Sequence, residues 1–147
     1  PDWTCLISGA NPNRTIKEMC STNKNVSLLG WVDDIRESYQ KGKVFIAPMM
    51  IGTGMQNKLL EAMASGLPCI TTKMTNNAIK AEDQKEILVA DTPEDFTQII
   101  EDLLGNDNML NDIGNSGKKY VQTNFSWENV TLPLIQLIES NQTIRAN

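Results

Sequence analysis

Histidine is absent from the chain. That removes Ser-His and Cys-His nucleophile pairs and every His-bearing metal site at once. There is no Asp-x-Asp pair and no His/Cys cluster at metal-ligand spacing. Cysteine is scarce and odd in number: Cys5, Cys20 and Cys69, without C-x-x-C spacing. Cys5 and Cys69 sit in apolar runs, where a free thiol behaves as a small hydrophobe; reduced thiols in a cytoplasmic protein are expected, not a disulfide framework. No apolar run approaches membrane-spanning length, and no signal peptide is read. Five Asn-x-Ser/Thr sequons begin at Asn13, Asn25, Asn124, Asn129 and Asn141. In so Asn-rich a chain they carry little weight. Basic excess is missing too: the net charge is −5, which argues against a phosphate-backbone partner, so no nucleic acid is expected.

What is present is ordinary globular material, with 40% hydrophobic and 21% charged residues, which excludes wholesale disorder. A chain of 147 residues can bury about 70% of its unfolded surface, enough for a core without metal or disulfide. Residues 1–147 are read as one domain. The chain begins at Pro1 and is read as a piece of a longer protein.

Short apolar runs alternate with amphipathic stretches. Residues 4–8, Val26–Leu29, Val44–Ala47, Cys69–Thr72 and Ile87–Ala90 read as five strands. Helices are expected after the first (Ile16, Met19 and Cys20 inward), from the Asp33-Asp34 cap through Tyr39, and from about Gly54 to Ser65. Continuous apolar strands separated by helices predict an α/β fold: a Rossmann-like parallel sheet of about five or six strands, with helices on both faces. The last third is helical. Thr92-Pro93-Glu94-Asp95 is a helix start, followed by Phe96, Ile99, Ile100, Leu103 and Leu104 on one face and a stop at Gly105. Further helices are expected from Met109 to Val121 and from Ser126, the latter kinked by Pro133. Trp127 reads as a core anchor, and Met49, Met50, Met63 and Met74 as core filler.

The connection Ile51–Pro68, I-G-T-G-M-Q-N-K-L-L-E-A-M-A-S-G-L-P, is the informative one. Gly52 and Gly54 let the backbone approach a ligand, and the helix behind them offers N–H groups and a positive dipole end. That is the recipe for a phosphate site at the carboxyl ends of parallel strands. Met55, Leu59, Ala62 and Met63 should pack on the sheet, with Asn57, Lys58 and Glu61 on the other side. Lys58 opposes the macrodipole, and Lys before Glu is the weaker pairing orientation; a bound anion would remove the conflict. A solvated Lys58–Glu61 pair, with glycines serving only the turn, explains the same residues.

N-K-L-L-E-A-M-A-S-G-L-P-C-I-T-T closely resembles the donor-binding signature of glycosyltransferase family 4, in the C-terminal, Rossmann-like domain of the GT-B fold. V-S-L-L-G-W-V-D-D-I (Val26–Ile35), V-F-I-A-P, E-I-L-V-A-D-T-P-E-D-F (Glu86–Phe96) and N-F-S-W (Asn124–Trp127) match further family segments in order, across nearly the whole chain. The resemblance implies the donor-binding half of a retaining transferase that passes a hexose-type sugar from a UDP- or GDP-linked donor to a glycan or lipid-linked acceptor. Polysaccharide biosynthesis is the setting it suggests, and it implies no catalytic metal or cofactor. By it, Glu61 holds the ribose hydroxyls. Lys58, with Asn57 beside it and the backbone at Gly52, Thr53, Gly54, Met55 and Gln56, holds the diphosphate, and Lys58 is the candidate for stabilising the departing charge. Trp31 and Val32 face the base, and Gly9 approaches the phosphates.

Each role has a plainer counterpart. Trp31 can be a packing or partner residue, and Gly9 can simply end a strand. The resemblance is also broken at one point: many such proteins carry a Glu, seven intervening residues before the position of Glu61, that contacts the donor sugar, and here it is Thr53. A subset with small residues in a G-x-G loop followed by N-K lacks it as well. A non-catalytic nucleotide-binding or protein-interaction module therefore stands as the alternative, and an epimerase relative fits the Q-N-K-L-L-E-A-M-A segment less well. The N-terminal acceptor domain lies outside this chain, which alone is expected not to transfer sugar. Exposed surface near Trp31, Met50 and Pro133, normally covered by that domain, can mediate dimers. The expected location is cytoplasmic, with the full-length enzyme peripheral to the inner face of the cell membrane.

Overall fold

The computed structural model describes residues 3–51 and 54–145, with side chains through 138. It divides into two compact units, Pro1–Lys43 and Val44–Asn147.

In the first unit, β1 (Cys5–Ser8) leads into α1 (Arg14–Thr22), then β2 (Val26–Gly30) and α2 (Ile35–Lys41). β1 and β2 pair in parallel, Cys5 opposite Val26 and Ile7 opposite Leu28, before a register shift brings Ser8 against Gly30. Short polar side chains start both helices: Asn13 accepts the Ile16 amide, and Asp34 that of Arg36, each at 2.9 Å. Asp34, not Asp33, is thus the cap of α2. The Arg36 guanidinium bonded to it holds the Asp34 carboxyl below its ordinary range.

The second unit runs β3 (Phe45–Ala47), α3 (Asn57–Ala64), β4 (Cys69–Thr71), α4 (Lys73–Ile79), β5 (Leu88–Val89), α5 (Pro93–Leu104), α6 (Asp107–Asn124) and α7 (Trp127–Arg145). β4 is central, parallel to β3 on one side and β5 on the other. Each of its residues is buried, as a middle strand covered on both faces requires. Ile70, Leu88, Ala90, Leu103 and Ile113 form a buried cluster, with Phe96, Ile99 and Ile100 of α5 packed against it. Thr92 caps α5 and Pro93 occupies its first turn. The cysteines are free; burial pushes the Cys69 thiol up, and partial burial with Cys20 nearby does the same to Cys5.

Several expectations are corrected. The described strands form two hydrogen-bonded parallel sheets, of two and three strands, instead of one ladder of five or six. α4 was not read from the sequence: Thr72 caps it, Thr75 and Ile79 are buried, and Lys80 closes it in the left-handed region. Trp127 is 85% exposed and anchors no core, because it opens a helix whose apolar residues Val130, Leu134, Leu137 and Ile138 are themselves exposed. Met50 is likewise exposed instead of filling the core, whereas Met63 is fully buried.

Candidate functional site

α3 carries the informative segment, and its apolar face explains its seat. Leu59, Ala62 and Met63 are fully buried. Positions three and four apart share a helix face, so the opposite face presents Asn57, Lys58 and Glu61, all exposed. Met55 does not join the buried face as expected. It precedes the helix, which starts at Asn57 instead of near Gly54, and it is half exposed.

The N-terminus of α3 differs from those of α1, α2, α4, α5 and α6. Side chains of Asn13, Asp34, Thr72, Thr92 and Asn106 each accept an amide at the starts of α1, α2, α4, α5 and α6. At α3 the capping residue is Gln56, which makes no side-chain cap bond, and the first turn contains no acid. The Gln56 amide nitrogen turns back to donate to the Gly54 carbonyl at 3.3 Å. Among the described residues, neither a side-chain cap bond nor a first-turn acid offsets the positive end of α3, and Lys58 adds a cation there. An anion suits that place, and Glu61, one turn further along, is an acceptor for hydroxyl groups.

Of the other residues singled out, Gly54 is exposed with open space around its α-carbon, and Gly52 and Thr53 lie outside the described residues. Gly9, Trp31 and Val32 belong to the first unit. The Gly9 amide donates to the Gly30 carbonyl at 2.9 Å, with φ of 150°. Trp31 is 74% exposed, its indole N–H 3.4 Å from the Asp33 carboxylate. Val32 is half-buried.

Sequence reasoning missed a pocket of about 220 Å³ lined by Met49, Met50, Thr72, Met74 and Asp91. Its residues come from the segments that follow β3, β4 and β5, at the carboxyl ends of the parallel strands, where open α/β sheets bind ligands. The apolar-to-Asp step at Val89-Ala90-Asp91 was the available signal. Among the described residues, no group of three or more Cys, Asp or Glu is placed to hold a metal ion. No described helix is long and apolar enough to cross a membrane.

A family model described as glycosyl transferases group 1 matches residues 1–106. Spore coat protein SA of Bacillus subtilis (strain 168) is 27% identical over 112 residues, which is 74% of this chain and 30% of that protein. The chain thus spans about a third of the length of that relative. Among solved structures, Anabaena HepE in complex with UDP superposes with a TM-score of 0.84 at 13% identity, over 95% of this chain and 42% of that one. The C-terminal domain of a glycosyl transferase group 1 family protein (LpcC) from Francisella tularensis gives a TM-score of 0.74 at 20% identity, over 86% of this chain and 72% of that one. These two likenesses are of fold. With its family match running through most of the chain and its α/β fold shared with such neighbours, the chain belongs to the glycosyl transferases group 1 family, whose fold is GT-B.

Proposed function

We propose that this chain is the C-terminal, donor-binding lobe of a family 4-like retaining glycosyltransferase. Its donor is a UDP- or GDP-linked hexose, and its acceptor a glycan or lipid-linked glycan presented by an N-terminal domain. The observation that carries the reading is the start of α3: a helix N-terminus without a side-chain cap or acid, with Lys58 in its first turn and Glu61 exposed one turn on. Support comes from the HepE structures, which are complexes with UDP and with UDP-glucose.

In this reading the amides at the start of α3 and the Lys58 ammonium hold the diphosphate. As the bond to the sugar breaks, negative charge grows on the leaving oxygen, and donors already aimed there stabilise it without reorganising. Glu61 accepts the ribose hydroxyls. The Trp31–Val32 loop as a base platform rests on its resemblance to the family's base-facing segment. No metal is required by this arrangement, since Lys58 and the helix end supply the positive charge. The full enzyme would act in the cytoplasm, at the inner membrane face when its acceptor is lipid-linked. A non-catalytic nucleotide-binding module is the second reading, favoured by Thr53 where many resembling chains have Glu.

The ribose role has its own test. Glu61→Gln keeps the shape and one acceptor but loses the charge. Calorimetric titration with UDP and GDP should show binding weakened by about 1–3 kcal/mol in whichever diphosphate binds. The analogue lacking both ribose hydroxyls should bind the wild type poorly and lose little further on mutation. Equal losses for the intact nucleotide and the analogue would make Glu61 structural and remove the ribose assignment.

A further inference from the structure

Cys5 and Cys20 take no part in the site described above, and the topology of the first unit brings them to one place. Side chains alternate across a strand, so Cys5 and Ile7 share one face of β1 and Leu6 and Ser8 the other. The Ser8 hydroxyl donates to the Ser38 hydroxyl at 2.8 Å, which puts α2 on the Leu6–Ser8 face. That leaves the half-buried Cys5 and Ile7 to α1, which lies against the neighbouring strand β2. Within α1, Ile16 and Cys20 are half-buried, one turn apart, and every other residue is exposed, so these two form its sheet-facing edge.

The two cysteines also match in height along the strands. Cys20 lies in the last turn of α1, whose closing residue Asn23 donates its amide to the Met19 carbonyl at 3.0 Å. Asn25 follows almost at once, and its carbonyl accepts the Cys5 amide at 2.8 Å, with Val26 opposite Cys5 at the start of the ladder. The end of α1 thus sits over the first residue of β1, and two free thiols meet there. Cys69 belongs to the other unit and is fully buried. Burial, and the Cys20 thiol nearby, hold the Cys5 thiol above its ordinary range, so Cys20 is the one to meet an oxidant first. Tyr39 is the only buried residue among the described residues of this unit, so a covalent tie has a thin core to reinforce.

We propose that Cys5 and Cys20 form a reversible dithiol–disulfide pair that joins the start of β1 to the end of α1. The oxidant it takes is a low-molecular-weight disulfide. The Cys20 thiolate attacks one sulfur of that reagent and expels the other as a thiolate, leaving a mixed disulfide. Cys5 then gives its proton to solvent and attacks the Cys20 sulfur, and the second half of the reagent departs as a thiolate. Two protein thiols are oxidised, and one reagent disulfide is reduced to two thiols. In a reducing compartment the pair stays open. It stands at the amino end of β1, whereas Gly9 follows the carboxyl end, so the bridge is independent of the donor-binding reading. The test incubates the 147-residue chain with mixtures of reduced and oxidised glutathione, with and without denaturing urea, and maps the alkylated products by mass spectrometry. The native chain should yield one bridge, Cys5 to Cys20, with the loss of two hydrogen atoms and Cys69 left as a thiol. Its equilibrium constant against glutathione should be about tenfold or more larger in the native chain than in urea, since a bridge that fits the fold is favoured by the fold to that degree. Dithiothreitol should reopen it, and Cys20→Ser should form no bridge. Thiols that stay reduced, separate glutathione adducts on Cys5 and Cys20, a bridge to Cys69, or an equilibrium constant no larger in the native chain than in urea would overturn the pairing.

Discussion

Replacing Leu59 with alanine should cost the chain about 2–5 kcal/mol of stability, the range for removing a large aliphatic side chain from a packed interior. Leu59 is fully buried, and with Ala62 and Met63 it forms the face that seats α3. Ala62 has nothing to remove, and Met63 is the more adaptable side chain, so Leu59 carries most of the shape complementarity of that seat. The effect should appear in denaturant unfolding as a lower midpoint with an unchanged slope. A loss below about 1 kcal/mol would mean the surroundings close over the missing atoms and that α3 is held by other contacts. Because Lys58 and Glu61 ride on the other side of this helix, the same variant should weaken any ligand they bind.

Gly114→Ala should be of similar severity, and here two effects compete in sign. In an exposed helix interior, Gly to Ala stabilises by about 1 kcal/mol. At position 114 in α6, an added Cβ would stand 2.3 Å from the Gly66 carbonyl oxygen and 3.4 Å from Pro68. The nearest atom is backbone at the turn after α3, not the tip of a flexible side chain, so relief requires α6 to move off. Overpacking of that kind costs about 1–3 kcal/mol and sometimes more, and a backbone collision belongs at the upper end. The net expectation is destabilisation of about 2 kcal/mol or more. Asn115→Ala, at the exposed neighbouring position, is the control and should leave stability unchanged or slightly raised. If Gly114→Ala is instead stabilising, α6 does not approach the α3 turn this closely.

Strand runs and helix starts were legible because their causes are local. Val26–Leu29 and Cys69–Thr72 are apolar runs bounded by glycine, proline or polar residues, and Thr92-Pro93 announces a helix by cap and fixed φ. α3 was legible through the 3–4 spacing of Leu59, Ala62 and Met63, although its first residue came three positions late. α4 was not, since K-M-T-N-N-A-I has weak helix formers and its stability comes from burying Thr75 and Ile79. Trp127 misled because a large aromatic near a helix start reads as core, and exposure is a property of what surrounds it. Which strands share a ladder is likewise set by distant segments, so two sheets instead of one lay beyond local pattern. The site divided along the same line. Lys58 and Glu61 sit in one continuous segment and were found, whereas the Met49, Thr72 and Asp91 lining is assembled from three separate strand ends and was not.

The central claim is that the start of α3 holds a nucleoside diphosphate, and calorimetric titration of UDP and GDP into wild type and Lys58→Ala tests it most directly. Lys58 is exposed in a first turn without acid or side-chain cap, so its removal should leave folding intact. One diphosphate should bind the wild type, and Lys58→Ala should weaken it by about 1.5–3 kcal/mol, the loss of a hydrogen bond to a charged group. Unchanged affinity in a folded Lys58→Ala variant would contradict it, leaving Lys58 as a surface residue with no ligand to hold.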